Sequence, residues 1–183
     1  NLARKFATLD LISKGRAGWN VVASWSELEA QNFGLETTLD YDTRYARSAE
    51  FVEVVKGLWD SWDDGALVFD KTAGRYFDEA KMHVLDHQGR FFKVRGPLNV
   101  ACMPQAHPVI VQAGASEQGR ELGAATAEVI YAISGSLEDA LRPLGSFVDR
   151  VSVGWTSIAS APKRVLEARK PGVKQAAPKP KSK

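Results

Sequence analysis

The residues best placed to do chemistry lie between Pro108 and Glu117, in the run Pro-Val-Ile-Val-Gln-Ala-Gly-Ala-Ser-Glu. Val109 to Gln112 reads as a buried strand that runs into a turn of small residues, Ala113 to Ser116, with a helix opening at Glu117. Small side chains let a ligand approach the backbone. A helix N-terminus offers N–H groups without intrahelical acceptors and a partial positive charge. Together these features make an anion site, most often for phosphate, with Ala115 and Ser116 as the contact positions. Capping the helix would by itself also account for a serine at position 116. The turn lacks the G-x-G-x-x-G pattern of the dinucleotide-binding folds.

Other reactive side chains carry less. His83, His87 and His107 have no metal-ligand spacing, so no metal is expected; His87 reads as a turn residue and all three as surface residues. Asp60, Asp63 and Asp64 read as a solvated helix end rather than as paired catalytic carboxylates. Trp59 and Trp62 lie at i, i+3 on an apolar stripe and read as core. Cys102, the single cysteine, has no base near it in sequence and no disulfide partner, which fits a reducing, cytoplasmic compartment.

The elements that must position Ser116 alternate. Leu2, Phe6 and Leu9 mark a helix ending near Gly15, expected to take the left-handed cap. Ala17–Val22 reads as a buried strand, and 24–42 as a long loop with a helical turn around Ser26–Gln31. A helix from Arg44 to Trp62 carries Phe51, Val52, Val55, Leu58 and Trp59 on one stripe. Short β segments follow at Ala66–Phe69, Met82–Leu85 and Arg90–Val94, with His87-Gln88-Gly89 as a hairpin turn. Residues 97–108 are irregular. The strand at Val109, a helix to about Thr126, a strand at Glu128–Ile133 and a helix at Ser136–Leu141 complete the pattern. Such alternation predicts an α/β fold with a parallel sheet. Strand 17–22 lacks polar alternation, which predicts a sheet covered on both faces or a barrel interior.

Composition is that of a globular protein: 183 residues, 44% hydrophobic and 25% charged. The net charge of +2 comes from the tail, where eight Lys or Arg from Lys163 onward face one acid, Glu167. The remainder is mildly acidic, so no nucleic-acid partner is expected. No apolar run approaches a membrane span and no signal peptide is visible, so no membrane partner is expected either. Residues 170–183, rich in Lys, Pro and Ala, are expected to be disordered.

Several motifs resemble the bacterial-luciferase-like flavin monooxygenases. They are Leu9-Asp10, Gly15 to Val22, Asn32-Phe33-Gly34, Arg44-Tyr45, Glu50 to Trp62, Arg95 to Asn99 and Pro108 to Glu117. Within that family they are most similar to the branch of nitrilotriacetate monooxygenase component A and dibenzothiophene-sulfone monooxygenase. The resemblance runs from about residue 2 to residue 140. It implies a TIM barrel that takes reduced FMN from a separate flavin reductase and uses O₂ to oxygenate a small organic substrate such as a chelator or a sulfone. It places Ser116 at the flavin phosphate, with Ala115 beside it, and Tyr45 against the flavin. Tyr41 stands where the family usually has histidine; a tyrosine donates a hydrogen bond but is no cation near neutral pH. Asn20, at a strand end, faces the site by the resemblance or simply caps the strand. Ala23 replaces a common threonine. The catalytic residues are not identified, and self-association is left open.

A TIM barrel takes about 250 residues. This chain offers three barrel-type strands, at 17–22, 109–112 and 128–133, and begins at Asn1 already in helical pattern. The expectation is therefore a partial barrel, incomplete at both ends, with a β-hairpin insertion. Residues 1–140 would form its central part, 141–169 a divergent segment from truncation or frameshift, and 170–183 the tail. The alternative to an enzyme is a non-catalytic remnant that does not bind flavin tightly.

Overall fold

Helix α1, Leu2–Ser13, forms where Ala3, Ala7 and Asp10 recur on one buried stripe. Its left-handed end falls one residue earlier than expected, on Lys14 (φ 56°), and continues through Gly15 (φ 79°), whose N–H reaches Asp10 O at 2.9 Å. The structure, a computed structural model, describes residues 1–131. The Asp10 side chain is fully buried. Its Oδ1 accepts from Gln105 Nε2 (2.6 Å) and Ala17 N (3.3 Å), and its Oδ2 from Gln105 N (3.2 Å). One carboxylate thus ties α1 to the strand that follows and to the irregular 97–108 segment.

That strand, β1 (Gly18–Val21), pairs in parallel with β6 (Val109–Gln112), Gly18 opposite Val109 and Val21 opposite Gln112. β6 pairs in parallel with β7 (Val129–Ile130), giving the order β1-β6-β7. Trp19, Val21 and Ile110 point into a core built with Val52, Val55, Trp59 and Leu122. Trp19 is its hub, with the rings of Phe6, Phe51 and Trp59 at 6.0, 6.1 and 5.9 Å. The opposite face carries the exposed Gly18 and Asn20, so among the described residues the sheet is covered on one face only; of the two expected arrangements, covered faces or a barrel interior, the first does not hold. The reason is topological. Right-handed crossovers that always advance in the same direction, β1 to β6 to β7, put α3 and α4 on the same side, where they pack together. That is how a barrel wall is laid.

Helix α2 (Glu27–Asn32) is capped by Ser26, and α3 spans Tyr41–Trp59. The expected span, Arg44–Trp62, is shifted at both ends. Asp40 caps α3 by accepting from Thr43 N at 3.0 Å, and the Thr43 side chain and backbone hold its carboxyl below the usual aspartate range. At the other end Ser61 leaves the helix to donate to Leu58 O (2.7 Å) and accept from Leu98 N (2.9 Å). Trp62 is therefore off the helical stripe; it bridges Met82 and donates its Nε1–H to Leu98 O at 2.6 Å.

Two hairpins follow, β2 (Leu67–Asp70) with β3 (Arg75–Phe77), and β4 (His87–Gln88) with β5 (Lys93–Val94). Between them, Met82–Leu85 is not a strand. The turn expected at 87–89 lies instead at 89–92, and His87 is a strand residue. Glu50 of α3 causes this: its carboxylate accepts from Phe91 N (3.0 Å), Phe92 N (2.8 Å) and His87 Nε2 (3.1 Å). Helix α4, Glu117–Thr126, matches its expected span. The end of the strand expected at 128–133, the helix at 136–141, and residues 141–183 lie outside the described residues.

Candidate functional site

The turn after β6 is shaped by two glycines and a glutamine. A Cβ on Gly114 would lie 2.8 Å from the Gly119 Cα, and one on Gly119 would lie 2.9 Å from the Gly114 Cα. The turn therefore folds flat onto the first turn of α4, and the small residues serve that packing before any ligand. Gln112 is buried, and its Oε1 accepts from Ala113 N (2.7 Å) and Gly114 N (2.9 Å). Those two N–H groups are consumed inside the chain. Any anion at this turn would therefore have to be met by Ala115, Ser116 and the start of α4.

Ser116 is the helix cap: its Oγ accepts from Gly119 N at 3.2 Å. It also meets Tyr45 from α3, the two hydroxyl oxygens lying 3.3 Å apart. α3 and α4 pack together, and this brings together residues 71 apart in sequence. Each hydroxyl has one proton, and the pair shares one hydrogen bond, so one proton is left over. That proton is a donor, polarised by the bonds behind it and placed at a helix N-terminus. Glu117, at the first helical position, is paired with Arg120 at 2.9 Å. These donors fit a phosphate.

Tyr41 packs on Tyr45, with ring centroids 4.9 Å apart, and Arg44 lies over the Tyr41 ring at 5.4 Å. Arg44 Nη1 donates to Ser24 O at 2.9 Å, so the guanidinium over Tyr41 also fixes the chain beyond β1. Tyr41 itself is exposed. Asn20 stands apart from these residues, on the open sheet face opposite Val111 in register. Of the five expected contacts, the structure gathers Tyr41, Tyr45, Ala115 and Ser116 at one end of the sheet and leaves Asn20 on its face.

The sequence reading gave no role to Gln112, Asp10 or Glu50. The signal for Gln112 was present: a polar residue two positions after Ile110 falls on the buried face of the strand and must be satisfied there. His87, expected at the surface, is largely buried beside Glu50, with 11% of its side chain exposed. Burial of Glu50 raises its carboxyl, but the hydrogen bonds from His87, Phe91 and Phe92 outweigh it and leave the carboxyl below the usual glutamate range. Burial, with Asp64, Asp63 and Asp60 nearby, pushes the Cys102 thiol up, away from the reactive thiolate. Among the described residues no three His, Cys, Asp or Glu gather as a metal-binding group.

A family model described as luciferase-like monooxygenase matches residues 1–151. N-acetyl-S-(2-succino)cysteine monooxygenase of Bacillus subtilis (strain 168) is 54% identical over 140 residues, 76% of this chain and 32% of that protein. Nitrilotriacetate monooxygenase component A of Aminobacter aminovorans is 55% identical over 138 residues, 75% of this chain and 30% of that protein. Among solved structures, a long-chain alkane monooxygenase superposes with a TM-score of 0.78 at 38% identity, covering 82% of this chain and 35% of that one. A riboflavin lyase solved with modified FMN and riboflavin gives a TM-score of 0.77 at 37% identity, covering 83% and 34%. The chain spans about a third of the length of the curated relatives it matches.

Proposed function

Because this chain belongs to the luciferase-like monooxygenase family, we propose that it carries the phosphate-binding part of an FMN site. In the complete barrel this site would serve oxygenation of a small organic substrate by O₂ and reduced flavin. The observation that carries the reading is the meeting of the Ser116 and Tyr45 hydroxyls at the N-terminus of α4. Tyr45 or Ser116 donates the spare proton to a phosphate oxygen, and the Ala115–Ser116 backbone and the helix dipole add to the field. Tyr41 packs on Tyr45 and supplies a hydroxyl where a histidine is usual in the family; Asn20 lines the barrel interior. Bound FMN, loaded in its reduced form by a separate reductase, would supply the electrons that activate O₂, as the family's chemistry implies.

The experiment is a titration of the chain with FMN, followed by flavin fluorescence, beside Ser116→Asp. Aspartate caps helices as well as serine does, so the variant keeps α4, while its carboxylate opposes the phosphate. The expected loss of affinity is at least about tenfold, or ~1.4 kcal/mol. Absence of FMN binding at high micromolar concentration refutes the reading for this chain and leaves its family membership intact. It would favour the second reading, a non-catalytic segment that holds no flavin tightly. The open sheet face and Tyr41 in place of a histidine are the observations that support that one.

A further inference from the structure

A cleft of about 740 Å³ opens between residues 22–39, the N-terminal half of α3 and Phe91 in the turn of the second hairpin. Its size is that of a small-molecule site. Phe33, Phe51 and Phe91 give it apolar walls, and Phe33 is 87% exposed, a large cost for an aromatic ring with nothing against it. Among the described residues, the ionisable groups that line it are Arg44, Arg47 and Glu29. Glu29 is engaged by the Ser24 hydroxyl. Arg44 is fixed by the Ser24 carbonyl, and its Nε meets no acceptor. Arg47 lies over the Phe92 ring at 4.8 Å, a contact that orients the guanidinium without neutralising it. Neither arginine takes part in an ion pair among the described residues. Two guanidinium groups against one carboxylate, between apolar walls, focus a positive potential into the cleft.

We propose that this cleft binds an organic anion with an apolar body and a carboxylate or sulfonate head. Arg44 and Arg47 hold the head through charge-assisted hydrogen bonds. Phe33, Phe51 and Phe91 cover the body. Naming this anion as the substrate rests on the flavin reading above; its binding does not.

The test uses the full chain and two fluorescent naphthalenes of similar shape, anilinonaphthalene sulfonate and the uncharged N-phenyl-naphthylamine. Arg47→Met keeps an apolar stem and breaks no side-chain hydrogen bond or ion pair among the described residues; Lys71→Met, at an exposed turn, controls for lost net charge. The expected result is a loss of sulfonate affinity of about tenfold in Arg47→Met, with the uncharged ligand unaffected and Lys71→Met like the parent. Equal losses for both ligands, or no loss for the sulfonate, overturn the proposal. So does competitive displacement of the sulfonate by FMN, because the arginines would then serve the flavin phosphate. Sulfonate binding that needs Arg47 in a chain that binds no FMN supports the cleft and refutes only the flavin reading.

Discussion

Replacing Tyr45 with phenylalanine separates the two roles that Ser116 combines. Ser116 Oγ accepts from Gly119 N at 3.2 Å and lies 3.3 Å from Tyr45 Oη. The variant leaves the first contact in place, so the cap of α4 survives, and the ring still packs beside the core. It removes one hydrogen bond between half-buried hydroxyls, worth about 1 kcal/mol, so Tm falls by only a few degrees. It also removes the Tyr45 hydroxyl, whose proton is the one left over when Ser116 Oγ donates to Tyr45 Oη; the Ser116 cap uses only a lone pair, so the serine proton freed in the variant recovers at most part of that loss. A hydrogen bond to a charged phosphate is worth about 1.5–3 kcal/mol, which is about ten- to a hundredfold in Kd. Ser116→Ala, by contrast, loses the cap as well and costs about 1 kcal/mol more in stability. The assay is an FMN titration by fluorescence quenching, paired with thermal unfolding of each variant. An unchanged FMN affinity in Tyr45→Phe, with a lowered Tm in Ser116→Ala, would show that Ser116 is only a helix cap and would refute the donor argument.

Three further outcomes follow from the packing. Gly114→Ala drives a methyl group against the Gly119 Cα and is expected to cost about 1–3 kcal/mol, read by urea denaturation, with FMN binding weakened in step. Asp10→Ala leaves the N–H groups of Ala17 and Gln105 without their acceptor, a cost of about 3 kcal/mol, also read by denaturation. Glu50 has a lowered carboxyl, so its contribution is present above the ordinary glutamate range and lost as pH falls through its lower folded value. Glu50→Gln is therefore expected to be less stable than the parent at neutral pH. The gap closes in acid, which stability curves at several pH values would show; a gap that stays constant with pH would rule this account out.

What the sequence determined by itself is local. The 3.6-residue periodicity of α1, the cap-and-turn chemistry of Ser116 and the apolar run of β6 are short-range patterns, and each forms where its own residues place it. The motifs strung along residues 2–140 were enough to identify the family. The boundaries of α3 were less legible, because Asp40 at one end and the Ser61–Leu98 contact at the other decide them. The hairpin turn was misplaced by two residues because the carboxylate that pins it, Glu50, lies 41 positions before Phe91. Only the tertiary structure decided that Tyr45 meets Ser116, that Gln112 uses two of the turn's donors, and that the sheet buries one face and opens the other. A hydrogen bond is assigned to whichever acceptor folding brings within about 3 Å, and sequence spacing does not record that choice. The small-residue turn and capped helix start at Ser116 were therefore legible as a type of local structure, while the number of donors they have left for a ligand was fixed by packing.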